Sequence, residues 1–286
     1  ALQEKKITAI ADDIASHGDS VRIVLIAGPS SSGKTTFTKR LAIQLTVLGL
    51  EPTLISVDDY FVDRDRTPRD EEGNYDFENI HALDIELINE HLLRLFEGDV
   101  VEIPTFDFKT GSRRAEGKPL RLPERGILLM EGIHCLNDEL TRRIPAERKH
   151  KIYISALTQL NLDDHNRIST TDNRLIRRMV RDYQFRGHSA LDTLNMWPSV
   201  RRGERRNIFP FQDTADSAFN SALDYELGIL KKHVEPLLMQ VKPMHEVYNE
   251  AVRLLSFLSN FTNIADKLVP TYSIVREFIG DSGFRY

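Results

Sequence analysis

The sequence is poor in the residues that mark several classes of protein. Among its 286 residues Cys135 is the single cysteine, so an internal disulfide and a cysteine-based metal site are excluded. Glycine and proline number only 15 and 12, and 41% of the residues are hydrophobic, which excludes a mainly disordered or fibrous chain. The longest apolar run, at residues 23–27, is far shorter than the ~20 residues that a membrane-spanning helix needs. The nine histidines show no metal-ligand spacing.

The start of the chain shows no secretory signal, because Glu4, Lys5 and Lys6 interrupt its first apolar positions. We therefore expect a cytoplasmic protein that does not bind a membrane. The chain begins at Ala1 rather than at a methionine. This start is compatible with an additional N-terminal domain that is missing from this chain.

Charge is unevenly distributed along the sequence. The 43 acidic and 38 basic residues give a net charge of −5, which argues against general nucleic-acid binding. Between positions 174 and 206, however, nine arginines stand against three acidic residues, so this segment carries +6. A local basic patch on an acidic protein indicates a small anionic ligand.

Strand and helix patterns alternate along most of the chain. The main strand patterns lie at residues 21–27, 53–57, 126–130, 151–155 and 215–222. Helical patterns lie at residues 2–17, 35–48, 84–98, 224–241 and 246–261. The alternation predicts an α/β fold with a mostly parallel sheet and helices on both faces. We predict an N-terminal helix at residues 1–20, a core at 21–222 and a C-terminal helical extension at 223–286.

A phosphate-loop motif lies between the first predicted strand and its helix. Residues 28–35 read Gly-Pro-Ser-Ser-Ser-Gly-Lys-Thr, a full match to G-x-x-x-x-G-K-[ST], and a chance Gly/Ser-rich turn is the alternative. The glycines let backbone amides turn inward around phosphate oxygens, and the helix that begins there adds its positive dipole end. Lys34 is expected to reach the β- and γ-phosphates, and the Thr35 hydroxyl to ligate Mg²⁺. The predicted nucleotide-binding residues are Gly28, Ser30, Ser31, Ser32, Gly33, Lys34, Thr35 and Thr36.

Two carboxylates stand at the ends of predicted strands. Asp58 follows the second strand, at the edge where open α/β sheets bind ligands, so it is a candidate to hold Mg²⁺ and to accept a proton. A turn or cap aspartate is the alternative. Glu131 ends an apolar strand in a Walker B-like arrangement, which makes it a candidate metal-side carboxylate. The alternative for Glu131 is a solvated strand end.

Arginines recur at helical spacing in the basic segment. They are Arg174, Arg177, Arg178 and Arg181. Arginine grips phosphate bidentately, and Arg186 and Gly187 follow in the last turn, so the pattern favours a hinged lid at about residues 172–206 that closes over phosphates. A solvated basic face is the alternative.

Six motifs occur in an order found in a known family. They lie at residues 28–35, 56–60, 74–77, 103–108, 130–133 and 174–182. Together they resemble the uridine kinase and phosphoribulokinase family of P-loop kinases. Three further stretches, at residues 197–204, 208–212 and 276–280, resemble a bacterial uridine-kinase-like subgroup. Members of that subgroup commonly carry an N-terminal domain similar to part of threonyl-tRNA synthetase.

The resemblance implies a kinase that uses ATP and Mg²⁺. It implies that Asp58 takes the proton of a ribose 5′-hydroxyl and that Asp76 holds the 2′- and 3′-hydroxyls. Thr35 and Glu131 match the magnesium side. The implied binding arginines are Arg178 on the substrate side and Arg181 and Arg186 on the ATP phosphates.

The chain departs from this family at three positions that read a pyrimidine. Phe106 stands where uridine-cytidine kinases have a tyrosine, Gly111 where they have a histidine, and His188 where they have an arginine. A site without these polar groups does not reject a wrong base by leaving them unpaired. We therefore expect a small-molecule acceptor with a ribose-like diol facing Asp76, and uridine itself is disfavoured.

The sequence leaves open two other functions and the question of whether the chain forms a homo-oligomer. A nucleotide-binding regulatory module with slow ATP hydrolysis is one, although a guanine-reading Asn-Lys-x-Asp motif is absent. A phosphoribulokinase-like sugar-phosphate kinase is the other, with the acceptor phosphate bound by Arg201, Arg202, Arg205 and Arg206. Aromatic residues near position 210 are compatible with a homo-oligomer.

Overall fold

The structure is a computed structural model that describes residues 1–70, 72–73, 75–107 and 110–285. The motif positions Asn74 and Phe108 lie outside the described residues.

The described residues form nine strands and eight helices. The strands are β1 (Ile23–Ala27), β2 (Glu51–Ser56), β3 (Val100–Ile103), β4 (Phe106–Asp107), β5 (Ser112–Arg113), β6 (Lys118–Arg121), β7 (Gly126–Glu131), β8 (Lys149–Ser155) and β9 (Ser217–Asn220). The helices are α1 (Leu2–Ser16), α2 (Lys34–Val47), α3 (Ile85–Phe96), α4 (Thr170–Arg186), α5 (Ala190–Asn207), α6 (Glu226–Leu238), α7 (Tyr248–Leu258) and α8 (Arg276–Ile279).

The main sheet has five strands in the order β2-β7-β1-β8-β9. The pairs β2–β7, β7–β1 and β1–β8 are parallel. Every residue of β1 is buried, as expected for a central strand of a parallel sheet. The predicted α/β class with a mostly parallel sheet is confirmed. The two-residue pair β4–β5 is antiparallel and too short to leave a pattern in the sequence.

The chain clusters into two compact units. The first, called the sheet unit below, comprises Ala1–Pro29, Thr38–Ile154 and Gly203–Phe219. The second, called the loop unit, comprises Ser30–Phe37, Ser155–Arg202 and Asn220–Tyr286. The phosphate-loop motif therefore begins in the sheet unit and continues in the loop unit.

In the sheet unit, α3 shows how the sequence sets a helix. The Asp84 carboxylate accepts a hydrogen bond from the Leu87 amide at 3.1 Å and so caps the first turn. Ile88, Leu92 and Leu95 then fall on one face and are buried in the core. The predicted cap at Asp84 is confirmed.

In the loop unit, residues at both ends of α4 define its limits. Ser169 caps it by accepting from the Asp172 amide, and it ends at Gly187, whose φ of 71° is the left-handed conformation that glycine adopts most readily. The C-terminal helices are shorter than the patterns at 224–241 and 246–261 predict. Helix α6 ends at Leu238, with Met239 as its C-cap, and α7 ends at Leu258. Within the described residues no helix has the length and hydropathy needed to cross a membrane.

His134, just past β7, gives a pH dependence to the stability of the sheet unit. Burial lowers the pKa of its imidazole to about 4, from 6.5. Between those two pH values the unfolded chain binds a proton that the folded chain does not. The titration of His134 therefore lowers the free energy of unfolding as pH falls from 6.5 toward 4, and it has no effect above pH 6.5.

We predict that replacing His134 with leucine flattens the decline of unfolding free energy between pH 6.5 and pH 4 by up to about 1.4 kcal/mol per pH unit. Urea unfolding at a series of pH values measures the slope. The control is His165→Gln, at an exposed position. Equal slopes in wild type and His134→Leu would contradict the prediction.

Candidate functional site

The backbone of the phosphate loop has two residues in the left-handed region. Ser31 has a φ of 59° and Gly33 a φ of 85°. A Cβ atom at Gly33 would lie 2.7 Å from Cγ2 of Ile274, so position 33 has neither the backbone angle nor the space for another residue. This tight turn delivers the chain into α2, which begins at Lys34.

The loop contains hydroxyl groups suited to an anion. The Ser31 and Ser32 Oγ atoms are buried and have no hydrogen-bond partner within the described residues. Buried hydroxyls without partners are costly, and phosphate oxygens are acceptors that would satisfy them. Lys34 and Thr35, the first residues of α2, are half-buried. The donors present therefore fit a phosphate group.

Helix α4 holds the phosphate loop by hydrogen bonds from its arginines. Arg174 Nε donates to the Ser30 carbonyl at 2.9 Å, and Arg178 Nη1 donates to Ser30 Oγ at 2.8 Å. Arg177 Nη1 donates to the Ser31 carbonyl at 3.2 Å. The three arginines thus bind two carbonyl groups and one hydroxyl of the loop.

Arg177 is the most buried of these arginines, with 0% exposure. Its guanidinium pairs with the Glu226 carboxylate, and the Nε–Oε2 distance is 3.1 Å. It also donates to Oγ and to the carbonyl of Ser221, at 3.0 and 3.1 Å, and lies 5.0 Å from the ring centroid of Phe278. One buried cation therefore joins α4, the phosphate loop, Ser221 and α6.

Three other groups of α4 meet at Asp182, which is 1% exposed. Arg181 Nε donates to its carboxylate at 2.8 Å, and Arg178 Nε lies 3.1 Å from it. Arg186 lies farther away, at 3.6 Å, and is exposed. The arginines predicted to bind substrate and ATP phosphates are thus brought together on one buried carboxylate.

In the sheet unit, the predicted carboxylates lie at the carboxyl edge of the sheet. Glu131 is the last residue of β7 and is in register with Ser56 of β2 and Ile26 of β1. Asp58 lies in the 3₁₀ turn that directly follows β2. Both side chains are half-buried. Gly28, the first residue of the phosphate-loop motif, follows β1 at the same edge.

The neighbour of Asp58 has a shifted pKa. Burial raises the pKa of the Asp59 carboxyl, while the backbone amide of Phe106 and the Lys118 ammonium act against the rise. The edge beside Asp58 is therefore partly desolvated. Among the described residues no three His, Cys, Asp or Glu side chains group closely enough to hold a metal ion by themselves. Mg²⁺ ordinarily takes one or two carboxylates together with substrate phosphates.

The positions predicted on the acceptor side also belong to the sheet unit. Asp76 is half-buried, and its Oδ1 accepts from the Glu78 amide at 3.2 Å. Phe106 is 8% exposed and packs against Phe61, with 5.5 Å between ring centroids.

Gly111, which the resemblance aligns with a base-reading histidine, lies beside Arg64. A Cβ atom there would lie 2.6 Å from Cζ of Arg64, whose side chain is exposed. The φ of 72° is in the left-handed region, which residues other than glycine rarely adopt, so another residue at position 111 would be strained.

Sequence reasoning missed two carboxylates of the loop unit. Glu226, the partner of Arg177, lies near the start of the predicted C-terminal extension, at the first residue of α6, and carries no motif. Glu277 accepts from Thr36 and belongs to the tail stretch 276–280, which the sequence marked without assigning it a role. The periodic arginines signalled a charged helix face, but helical spacing does not distinguish a buried arginine from a solvated one.

The chain is similar to known proteins in sequence and in fold. The model of the Phosphoribulokinase / Uridine kinase family matches residues 23–226. A uridine kinase of Brevibacillus brevis is 28% identical over 180 residues, which cover 63% of this chain and 75% of that protein. A uridine kinase of Staphylococcus haemolyticus is 29% identical over 178 residues, which cover 62% and 76%. The solved structure of a possible uridine kinase from Bacillus stearothermophilus matches at a TM-score of 0.50 and 18% identity, over 76% of this chain and 98% of that one. That likeness shows the fold.

We predict that Arg177→Met lowers the unfolding free energy by about 3 kcal/mol or more, because it leaves the Glu226 carboxylate buried without its partner. The double variant Arg177→Met/Glu226→Leu should regain part of the loss. Urea unfolding measures both.

The control is Arg253→Gln, which removes the two ion pairs that a 47% exposed arginine of the same unit makes with Asp172 and Glu250. Its cost should stay well below that of Arg177→Met, because exposed ion pairs contribute roughly 0–1 kcal/mol each. Similar losses for the buried and the exposed arginine would show that the buried pair does not stabilise the loop unit.

Proposed function

Because the chain belongs to the phosphoribulokinase and uridine kinase family, we propose that it transfers the γ-phosphoryl group of ATP to a hydroxyl of a nucleoside or ribose-like metabolite. As a member of that family it is a phosphotransferase with an alcohol group as acceptor. The observation that carries the proposal is the phosphate loop, with left-handed Ser31 and Gly33 and two buried hydroxyls without partners. We also propose that residues 172–206 act as the lid of a core at residues 21–222, followed by the extension at residues 223–286.

The proposed reaction is an in-line displacement at the γ-phosphorus. The acceptor oxygen bonds to phosphorus while Asp58 takes its proton, and the bond from phosphorus to the β,γ-bridging oxygen breaks, so that ADP leaves with that electron pair. Lys34 and Arg178 stabilise the charge that develops on the transferred group. Arg181 and Arg186 bind the ATP phosphates, and Asp76 holds the acceptor's diol.

Magnesium fits the oxygen donors assigned to it. Thr35, Asp58 and Glu131 would hold the ion, since a hydroxyl and carboxylates are the hard ligands that Mg²⁺ prefers. When bound, it supplies charge neutralisation at the β- and γ-phosphates.

The residues at positions 106 and 111 limit the range of acceptors that the site could recognise. The proteins named uridine kinase support a nucleoside acceptor. In this chain, however, Gly111 has no side chain that could read a base, and Phe106 packs in the core beside Phe61. We therefore propose an acceptor that is recognised through its ribose-like diol rather than through the edge of a pyrimidine.

We predict that ADP release from Mg-ATP rises strongly with one member of a panel of nucleosides, ribose, deoxyribose and pentose phosphates. Asp58→Asn should lower that acceptor-dependent rate at least a hundredfold, because general-base catalysis contributes about 10²–10⁴-fold, and ATP affinity should stay near wild type. The control is Asp65→Asn, at an exposed position outside the proposed site.

Turnover near wild type in Asp58→Asn would contradict the assignment of the base. Slow ATP loss that no acceptor stimulates would instead favour a nucleotide-binding regulatory module. Stimulation by pentose phosphates alone would favour a phosphoribulokinase-like activity.

A further inference from the structure

The tail of the loop unit, residues 273–280, packs against the phosphate loop. Ile274, Val275 and Phe278 are fully buried, so the tail is held by apolar packing. Ile274 is the residue that a side chain at Gly33 would strike, and Phe278 lies under the guanidinium of Arg177. The tail therefore has a fixed position beside the loop.

Glu277 of the tail is bonded to the first turn of α2. Its Oε2 atom accepts from the Thr36 amide at 3.0 Å and from Thr36 Oγ1 at 2.7 Å. The Thr36 amide is one of the first four amides of the helix, which have no acceptor within the helix. These amides at a helix N-terminus, together with the helix dipole, attract anions. A carboxylate of the protein itself thus occupies an anion-binding donor pair.

Thr36 is one of the residues that the sequence predicts to bind the nucleotide, so this inference rests on the proposed function. One amide hydrogen serves one strong acceptor, and a carboxylate and a phosphate oxygen at the same donors repel each other. Glu277 and the nucleotide therefore compete for the same place.

We propose that Glu277 is a tethered anion that competes with the phosphates of ATP for the donors of Thr36. In the free protein its carboxylate accepts the hydrogen bonds of Thr36 at the start of α2 and so stabilises the conformation of the phosphate loop. When ATP binds, the side chain rotates away while the buried Ile274 and Phe278 stay in place. The affinity for ATP is consequently lower than the loop alone would give, and any event that withdraws Glu277 tightens nucleotide binding.

The test compares ATP affinity in Glu277→Gln and wild type by calorimetric titration of the whole chain with Mg-ATP. Glutamine keeps the size of the side chain and removes its charge, so the Kd for ATP should fall about tenfold. Glu277→Ala is the second variant and should also bind ATP more tightly. The matched control is Asp281→Asn, which removes a charge near the tail from a side chain that is 96% exposed, and it should leave the Kd unchanged.

The direction of the change in Kd distinguishes competition with ATP from a role in which Glu277 only stabilises the loop. If Glu277 only positioned the loop, both Glu277 variants would bind ATP more weakly, and unchanged or weaker binding in both overturns the inference while the proposed function stands. Absence of ATP binding in the wild type would overturn the proposed function and this inference together. In steady state the variants should lower KM for ATP, a change that loss of a structural contact does not produce.

Discussion

The buried ion pair of Arg177 and Glu226 is the interaction on which the loop unit depends. The Arg177 guanidinium contacts the carbonyl of Ser31, the hydroxyl and carbonyl oxygens of Ser221 and the ring of Phe278, so four segments of the chain share one cation. Burial of two opposite charges is tolerated only when every donor has an acceptor. Removal of one partner from such a pair strongly lowers the free energy of unfolding. The pair thereby holds a loop whose own backbone includes two left-handed residues.

The arginines of α4 differ in what they bind. Arg174 and Arg177, both nearly fully buried, bind carbonyl groups of the phosphate loop and stabilise its conformation. Arg181 and Arg186 share the carboxylate of Asp182, and their side chains are 15% and 52% exposed. Within the segment that carries +6, the first arginines of α4 are therefore buried and hold the phosphate loop. The arginines near the C-terminal end of α4 form a polar face.

The sequence predicted the parallel sheet, the strand–loop–helix context of residues 28–35 and the cap at Asp84, because each rests on local patterns of burial or turn chemistry. It did not predict the partner of Arg177 or the contact of Glu277 with Thr36, since both join residues far apart in the chain and helical spacing carries no information on burial. The position of Gly111 beside the guanidinium of Arg64 could not be predicted either, because the two residues are distant in the chain.

Residues 28–36 are the proposed binding site for the phosphates of ATP. Calorimetric titration of the wild type and of Lys34→Ala with Mg-ATP tests this proposal most directly, with circular dichroism to verify that both are folded. We expect one binding site per wild-type chain and loss of binding in Lys34→Ala, because that lysine supplies the charge that meets the β- and γ-phosphates. A folded wild type that does not bind ATP, or a Lys34→Ala protein that binds it equally well, would contradict the claim.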